Sequence, residues 1–305
     1  FRESARRILL NMFRGGLFEN PYLDPDQTVK TVGNPAFMQE GYEAQLRSMV
    51  LLKNRGNSVL PQQEKKKVWF PKRHFPAIPG LWGGLSEDHW DYPYQTELVS
   101  KYYDIVSSPE EADFALVGIW GPAISVGWDA NDVKKGGNGY LPISLQYEPY
   151  TATLARKESI AGGHHTEGFT NRSYQGKTVT TRNYDDLLLV KETKKAMGDK
   201  PVVVVWHLDK PAVPAEFEPY ADAILVAFGI QNQAILDMVS GRAQPSGLLP
   251  MQLPANMETV ETQQEDVPHD MVCYKDTEGN CYDFAFGLNW SGVIHDERVE
   301  RYRIP

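Results

Sequence analysis

The 305-residue sequence has few cysteines, no long apolar run and no excess of basic charge. No stretch approaches the ~20 consecutive apolar residues that a membrane-spanning helix needs, so we expect no membrane partner. Lysine and arginine together number 31, against 40 aspartate and glutamate residues, and the net charge is -9. Because nonspecific nucleic-acid affinity depends on clustered basic side chains, we expect no nucleic-acid partner either.

The two cysteines, Cys273 and Cys281, flank a turn-rich stretch that favours a hairpin. Two interpretations stay open: a disulfide across the hairpin, or two free thiols. A disulfide is typical of a periplasmic or secreted enzyme, and we expect that location, with a cytoplasmic one as the alternative. The spacing of the pair is not that of a zinc site.

Several fingerprints of cofactor and nucleophile chemistry are also missing. The glycine-rich segment 136–139 lacks the preceding strand and following helix of a nucleotide-binding loop. No G-x-S-x-G motif supports a serine hydrolase. The adjacent His164 and His165 lack the spacing of a metal site on a helix or hairpin. We therefore expect neither a cofactor nor a metal.

The segment 231–254 contains the strongest local structural signals. Ala234, Ile235, Met238 and Val239 lie on one side of a predicted helix, and Gly241 provides its left-handed end. A continuously apolar run at 223–228 predicts a strand before this helix. A tight turn after it leads to a second predicted strand at 248–251.

Other apolar runs extend the same alternation. They predict strands at 68–70, 114–119 and 202–206, and helices at 8–13, from Pro35 and at 185–197. Apolar strands that alternate with helices indicate a mainly parallel sheet covered on both faces. Between 120 and 177 this periodicity disappears, and a loop of such length in a compact domain is usually functional.

Five sequence blocks, in order along the chain, carry a resemblance to a known family. They are RILLNMFRGGLFENPY, SMVLLKNRGNSVLP, PVVVVWHLDKPAV, AILVAFGIQNQAILDMVSGRAQPSGLLPMQLP and YDFAFGLNW. Together they resemble the C-terminal half of glycoside hydrolase family 3, which comprises β-glucosidases and related exo-acting enzymes. In that family a (β/α)8 barrel precedes an α/β sandwich, and the active site lies in the cleft between the two.

The resemblance implies a domain organisation. We expect residues 1–16 to be the last helix of the barrel domain, 17–33 the interdomain linker, and 34–305 a three-layer α/β/α sandwich with a mainly parallel six-stranded sheet. The barrel and its nucleophilic aspartate are not in this sequence. We therefore expect a barrel half as partner, as an earlier part of the same chain or as a second chain.

The resemblance also directs the search for a proton donor. Retaining glycoside hydrolysis uses two carboxyl groups about 5–5.5 Å apart, and in this family the proton donor is usually a glutamate on a mobile loop of the sandwich. Glu158, Glu167 and Glu148 are the candidates between 120 and 177. Glu158 ranks first, because neighbouring basic residues can adjust its pKa and Gly162–Gly163 lets the loop bend.

Glu167 precedes an Asn171-Arg172 pair that is similar to an EGxDR stretch of some relatives, with Asn171 in place of their aspartate. On this basis Arg172 is a predicted substrate-binding residue. Trp120 and Tyr150 are two more, chosen from an aromatic set that includes Trp82, because flat aromatic rings stack on the axial C–H faces of sugars.

The resemblance implies a retaining exo-glycosidase of the β-glucosidase kind, acting on a β-linked glucoside or a short oligosaccharide. The chain would supply the general acid/base and part of the cleft, and would be inactive without the barrel half. Two other functions stay open: a non-catalytic carbohydrate-binding or scaffolding module derived from the same domain, and a nucleotide-binding α/β protein, which the missing phosphate loop disfavours.

Overall fold

The computed structural model describes residues 1–78, 84–124, 127–264, 267 and 270–302. The chain divides into two compact units, Phe1–Ala44 and Gln45–Pro305. Across the described ranges, every helix is too short or too polar to cross a bilayer.

The first unit is helical. It contains α1 (Arg2–Arg14), α2 (Pro25–Thr31) and most of α3 (Pro35–Ser48). Helices α1 and α3 confirm the predictions made from the sequence. Helix α2 is not predicted and lies within the expected linker. It forms there because the Asp24 carboxylate accepts a hydrogen bond from the Asp26 amide at 3.0 Å and proline occupies the first helical position.

The second unit alternates strands and helices. In chain order they are β1 (Val50–Asn54), β2 (Lys67–Trp69), β3 (Arg73–Phe75), β4 (His89–Asp91), α4 (Thr96–Val99), β5 (Asp104–Val106), β6 (Phe114–Trp120), α5 (Ala130–Lys134), β7 (Tyr150–Thr151), β8 (Thr178–Val179), α6 (Tyr184–Met197), β9 (Val202–His207), β10 (Ala223–Ala227), α7 (Asn232–Ser240), α8 (Met257–Thr262), β11 (Leu288–Asn289), β12 (Gly292–Val293) and α9 (Glu297–Tyr302). The predicted strands at 68–70, 114–119, 202–206 and 223–228 correspond to β2, β6, β9 and β10.

Within the described residues, the central sheet has eight strands in the order β12-β11-β1-β10-β9-β6-β2-β5. The five strands from β10 to β5 are parallel to one another. Strand β1 is antiparallel to both β10 and β11, and β11 is antiparallel to β12. The expected α/β class is confirmed. The expected six-stranded, mainly parallel sheet is corrected to an eight-stranded mixed sheet, because β1 runs against β10 and a C-terminal hairpin extends the edge.

Both faces of the parallel strands are covered. On one face, Val204 and Trp206 of β9 share a core with Leu187 and Val190 of α6. On the other face, the Pro93 ring packs against Gly118 of β6. A Cβ at position 118 would lie only 2.9 Å from the Pro93 Cβ, so the contact requires glycine. Because successive side chains of a strand point to opposite faces, the parallel strands pack against one layer on each face of the sheet.

The segment around Gly241 agrees only in part with the predictions. Gly241 has φ 83° and ends α7 in the left-handed conformation, which confirms the predicted helix end. The predicted strand at 248–251 is wrong. Leu249 does exchange backbone hydrogen bonds with Phe286 (2.7 Å) and Ala285 (2.9 Å). The next backbone hydrogen bond to this partner segment comes only at Leu253, whose amide donates to the Tyr282 carbonyl at 3.0 Å, so the contact is too sparse to form a strand.

Two glycines allow three backbone segments to meet just before the start of β1. A Cβ at Gly247 would lie 2.2 Å from the carbonyl oxygen of Met49, and a Cβ at Gly287 would lie 2.3 Å from the carbonyl oxygen of Gly247. The Gly247 amide donates to that Met49 oxygen at 3.1 Å. These contacts join three of the sequence blocks that carry the family resemblance.

We expect Gly247→Ala to lower the free energy of unfolding by roughly 1–3 kcal/mol, because the added methyl group meets backbone rather than a movable side chain. Chemical denaturation of the variant measures this loss. Gly168→Ala is the control, since a Cβ at 168 meets nothing within 4 Å. Equal unfolding free energies for the two variants would contradict the close backbone approach.

Candidate functional site

A cavity of about 530 Å³ lies at the carboxyl ends of β6 and β9, and we refer to it as the strand-end cavity. Ligands of open α/β sheets bind at this position, outside the carboxyl ends of parallel strands. Its walls combine aromatic and charged side chains, which include Arg73, Phe75, Glu87, Trp120, His207 and Lys210. The cavity size falls in the range of about 300–1,000 Å³ that is usual for small-ligand sites.

The guanidinium group of Arg73 is fixed at the wall of the strand-end cavity. Its Nε and Nη2 donate to the two carboxylate oxygens of Asp186 at 2.6 and 2.8 Å, and both residues are buried. The guanidinium carbon also lies 4.7 Å from the ring centre of Phe75 and 4.3 Å from that of Trp120. Arg73 therefore presents a cation whose position is set by one carboxylate and two aromatic rings.

Trp120, a predicted substrate-binding residue, lies at this cavity. Its ring stacks on His207 with centroids 4.2 Å apart and planes at 12°. The His207 Nε2 is 2.9 Å from the hydroxyl oxygen of Tyr94. Burial lowers the pKa of His207 to about 4, and the charge of Arg73 contributes to the shift. The imidazole is consequently neutral near pH 7 and stacks on Trp120 without a charge.

The loop at 155–174 contains two of the three predicted proton donors, Glu158 and Glu167, and is held by hydrogen bonds at its base. The Asn171 Oδ1 accepts from the Ser159 amide at 2.9 Å, and its Nδ2 donates to the Lys157 carbonyl at 2.7 Å. The Arg172 amide donates to Ser159 Oγ at 2.9 Å. Glu158 lies between the two tied residues 157 and 159, and its side chain is exposed.

The other two glutamates have cationic partners. Glu167 is half-buried and forms an ion pair with Arg172, with a second contact of 3.3 Å from Arg172 Nε to Glu167 Oε2. The Arg172 guanidinium lowers the pKa of the Glu167 carboxyl. Glu148 is exposed and lies 3.4 Å from the Lys191 ammonium group. The lowered pKa makes the Glu167 carboxyl a poor proton donor near neutral pH.

A second cavity, of about 340 Å³, separates the 155–174 loop from α8, and we refer to it as the loop cavity. Arg172 and Ser159 line it from the loop, and Glu261 lines it from α8. The Glu261 carboxylate is hydrogen-bonded to the hydroxyl of Tyr150. Burial raises the pKa of Glu261, although the hydrogen bond from Tyr150 opposes the shift.

The predicted substrate-binding residues divide between the two cavities, whereas Glu158 and Glu167 are on the 155–174 loop and are in the lining of neither. Arg172 lines the loop cavity, and Tyr150 reaches it through Glu261, whereas Trp120 lines the strand-end cavity. Trp82 lies outside the described residues. Glu261 is not among the site residues predicted from the sequence. Its one local signal is the lack of any basic residue within four positions on either side, so that no helical ion pair neutralises it.

The histidine and cysteine pairs carry no metal ligand set. Within the described ranges, no three His, Cys, Asp or Glu side chains are grouped so that they could hold a metal ion. The His164 Nδ1 is 2.8 Å from Thr166 Oγ1. Cys273 and Cys281 are free thiols. Burial raises the pKa of Cys273 to about 12, and the Asp283 carboxylate adds to the shift.

A model of the glycosyl hydrolase family 3 C-terminal domain matches residues 49–290. The chain belongs to glycosyl hydrolase family 3. It is 30% identical over 288 residues to a probable β-glucosidase C of Aspergillus flavus, with 94% of this chain and 35% of that protein covered. It is 25% identical to a periplasmic β-glucosidase/β-xylosidase of Dickeya chrysanthemi, with 88% of this chain and 31% of that protein covered.

The solved structure of a Listeria innocua β-glucosidase in complex with isofagomine has the same fold. The TM-score is 0.51 at 18% identity, with 93% of this family 3 chain and 38% of that chain covered. The chain therefore spans about a third of the length of the relatives that it matches.

The neutral state of His207 predicts a pH dependence of stability. Folding lowers the pKa of His207 from its unfolded-state value near 6.5 to about 4. The neutral imidazole therefore contributes fully to folding stability above pH 6.5, and this stability is lost as the pH falls toward 4. From pH 7 to pH 4 this loss amounts to about 3 kcal/mol. Unfolding free energies of the parent and His207→Gln measure it, and we expect the variant to lose less stability over this interval. A parallel pH dependence in both proteins would contradict a buried neutral imidazole.

Proposed function

We propose that this chain is the C-terminal portion of a retaining, exo-acting β-glucosidase, to which it supplies the general acid/base and part of the sugar-binding cleft. Membership of family 3 supports the proposal, as do relatives that are named β-glucosidases. The observation that carries it is the 155–174 loop, which holds an exposed glutamate, Glu158, beside a cavity rich in hydrogen-bonding groups.

The reaction needs two carboxyl groups about 5–5.5 Å apart. A nucleophilic aspartate from the barrel half attacks the anomeric carbon and forms a glycosyl-enzyme. Glu158 donates its proton to the glycosidic oxygen as the C–O bond breaks. The resulting carboxylate then accepts a proton from the water that hydrolyses the glycosyl-enzyme. Glu167 is the second candidate for this role, and its ion pair with Arg172 would have to open first.

Exposed apolar side chains of α1 support the need for a barrel half. Ile8 and Phe13 are 59% and 57% exposed, and none of the residues of α1 is buried. Contiguous exposed apolar surface marks an interaction site. We assign residues 1–16 to the last barrel helix, 17–33 to the linker and 34–305 to the sandwich. The periplasmic relative supports a periplasmic or secreted location.

We expect Glu158→Gln in the full-length enzyme to lower kcat/KM for a glucoside with a poor leaving group by about 100- to 10,000-fold. The glycosidic oxygen of such a leaving group departs only when it receives a proton. For 2,4-dinitrophenyl β-glucoside, which leaves without a proton, kcat/KM should change little. Added azide should restore kcat by attacking the glycosyl-enzyme in place of activated water. Initial rates and detection of the glycosyl azide measure these effects.

Glu148→Gln changes the third candidate carboxyl, which lies before the 155–174 loop and faces Lys191, and it should leave both substrates unaffected. The same leaving-group dependence in Glu167→Gln, and not in Glu158→Gln, would move the role to Glu167. A full-length protein that binds β-glucosides and hydrolyses none would instead support the non-catalytic binding module.

The 305-residue chain alone should not hydrolyse an aryl β-glucoside, because the attacking carboxylate is supplied by the barrel half. A release assay on the purified chain, beside the full-length enzyme at equal molarity, measures this. Turnover by the isolated chain would contradict the division of the two carboxyl groups between the halves.

A further inference from the structure

The loop cavity has two walls from distant parts of the sequence. The 155–174 loop forms one wall, and the end of α8 with the residues after it forms the other. Its volume of about 340 Å³ lies within the size range of small-ligand sites, roughly 300–1,000 Å³. The cavity is therefore large enough for a small polar molecule.

The lining of the loop cavity matches a polyhydroxylated ring. The Glu261 carboxylate accepts hydrogen bonds, the side-chain amides of Gln263 and Gln264 both donate and accept, and the Tyr174 ring offers a flat apolar surface. Arg172 adds donors, but its guanidinium group already pairs with Glu167. Arg156 lines the cavity as well, so two arginines stand against the two carboxylates of Glu167 and Glu261. This balance of charge favours a neutral hydroxylated ligand over an anion.

The Glu261 carboxylate is held in place and is not fully solvated. Glu261 is half-buried, and its carboxylate is hydrogen-bonded to the Tyr150 hydroxyl. A carboxylate has acceptor capacity for about four hydrogen bonds, so the contact with Tyr150 leaves most of that capacity for a ligand. An oriented, partly desolvated acceptor of this kind gives stronger hydrogen bonds than a mobile surface glutamate.

The position of the cavity indicates which sugar it would receive. Ser159, the residue after Glu158, lines the loop cavity. A proton donor contacts the glycosidic oxygen, so groups beside it on the same loop face the departing part of the substrate. This step rests on the proposed function, in which Glu158 is the donor.

We propose that the loop cavity binds the leaving-group sugar of a β-linked oligosaccharide, with Glu261 as the hydroxyl-binding carboxylate and Tyr150 as the residue that positions it. Glu261 thereby separates oligosaccharides, whose leaving group carries several hydroxyls, from p-nitrophenyl β-glucoside, whose leaving group carries none apart from the glycosidic oxygen. Neither residue takes part in breaking the bond.

The test compares two substrates in the full-length enzyme. The first is whichever β-1,2-, β-1,3-, β-1,4- or β-1,6-linked diglucoside the parent hydrolyses fastest, and the second is p-nitrophenyl β-glucoside. We expect Glu261→Gln to lower kcat/KM for the diglucoside by about 10- to 100-fold, mainly through KM, as for loss of a hydrogen bond to a charged group. For the aryl glucoside kcat/KM should stay within twofold.

Two further variants sharpen the comparison. Glu258→Gln alters an exposed carboxylate on the same helix and should leave both substrates unchanged. Tyr150→Phe removes only the hydroxyl that positions Glu261, and should reproduce part of the diglucoside effect with the aryl glucoside spared. This variant provides the same readout if Glu261→Gln does not fold, and thermal unfolding identifies that case.

The outcomes separate this inference from the function on which it rests. An equal loss on both substrates, no loss on either, or a parent that hydrolyses aryl glucosides but no diglucoside would overturn the leaving-group site and leave the glycosidase function intact. A full-length parent that hydrolyses neither class would overturn both.

Discussion

The buried ion pair between Arg73 and Asp186 is the interaction on which the strand-end cavity depends. It joins the β3–β4 hairpin to the start of α6, and the Trp120 amide at the end of β6 donates to the same carboxylate at 3.1 Å. Burying two charges costs several kcal/mol per ion, and only bidentate geometry with further hydrogen bonds offsets such a cost. Asn183 supplies one of these bonds at 2.8 Å. A small displacement of any one element would therefore leave a charge unpaired, so the wall is held in one arrangement.

The same cation contributes to the character of the neighbouring wall. Burial disfavours a charged imidazole at His207 and the Arg73 cation adds to this effect, so His207 stays neutral and stacks on Trp120. The cavity thus combines the fixed Arg73 cation and several uncharged ring faces with Glu87 and a Lys210–Asp209 ion pair. Such a surface suits neutral hydroxylated ligands, whose C–H faces pack on rings and whose oxygens accept hydrogen bonds.

Local signals predicted the parts of the fold that are local in origin. The apolar runs of β9 and β10 identify these strands because they are buried almost throughout. Gly241 marks the end of α7 because the left-handed conformation at that position favours glycine. The direction of β1 and the C-terminal hairpin were not predictable in this way. Strand β11 has two residues, too few for any period, and its place in the sheet depends on β1, far away in the sequence.

The same distinction applies to the site. Glu167 and Arg172 are close in sequence, and their pairing was within reach of local reasoning, whereas Glu261 meets Tyr150 only because α8 folds against the loop. Asn171 shows what such contacts achieve. Its side-chain amide accepts from two backbone N–H groups and donates to a backbone carbonyl. An aspartate could not do this, since a carboxylate would face the Lys157 carbonyl without a proton to donate. The loop is thus fixed at its base and exposed at Glu158, the combination that a proton donor needs if it is to reach a bond held by another domain.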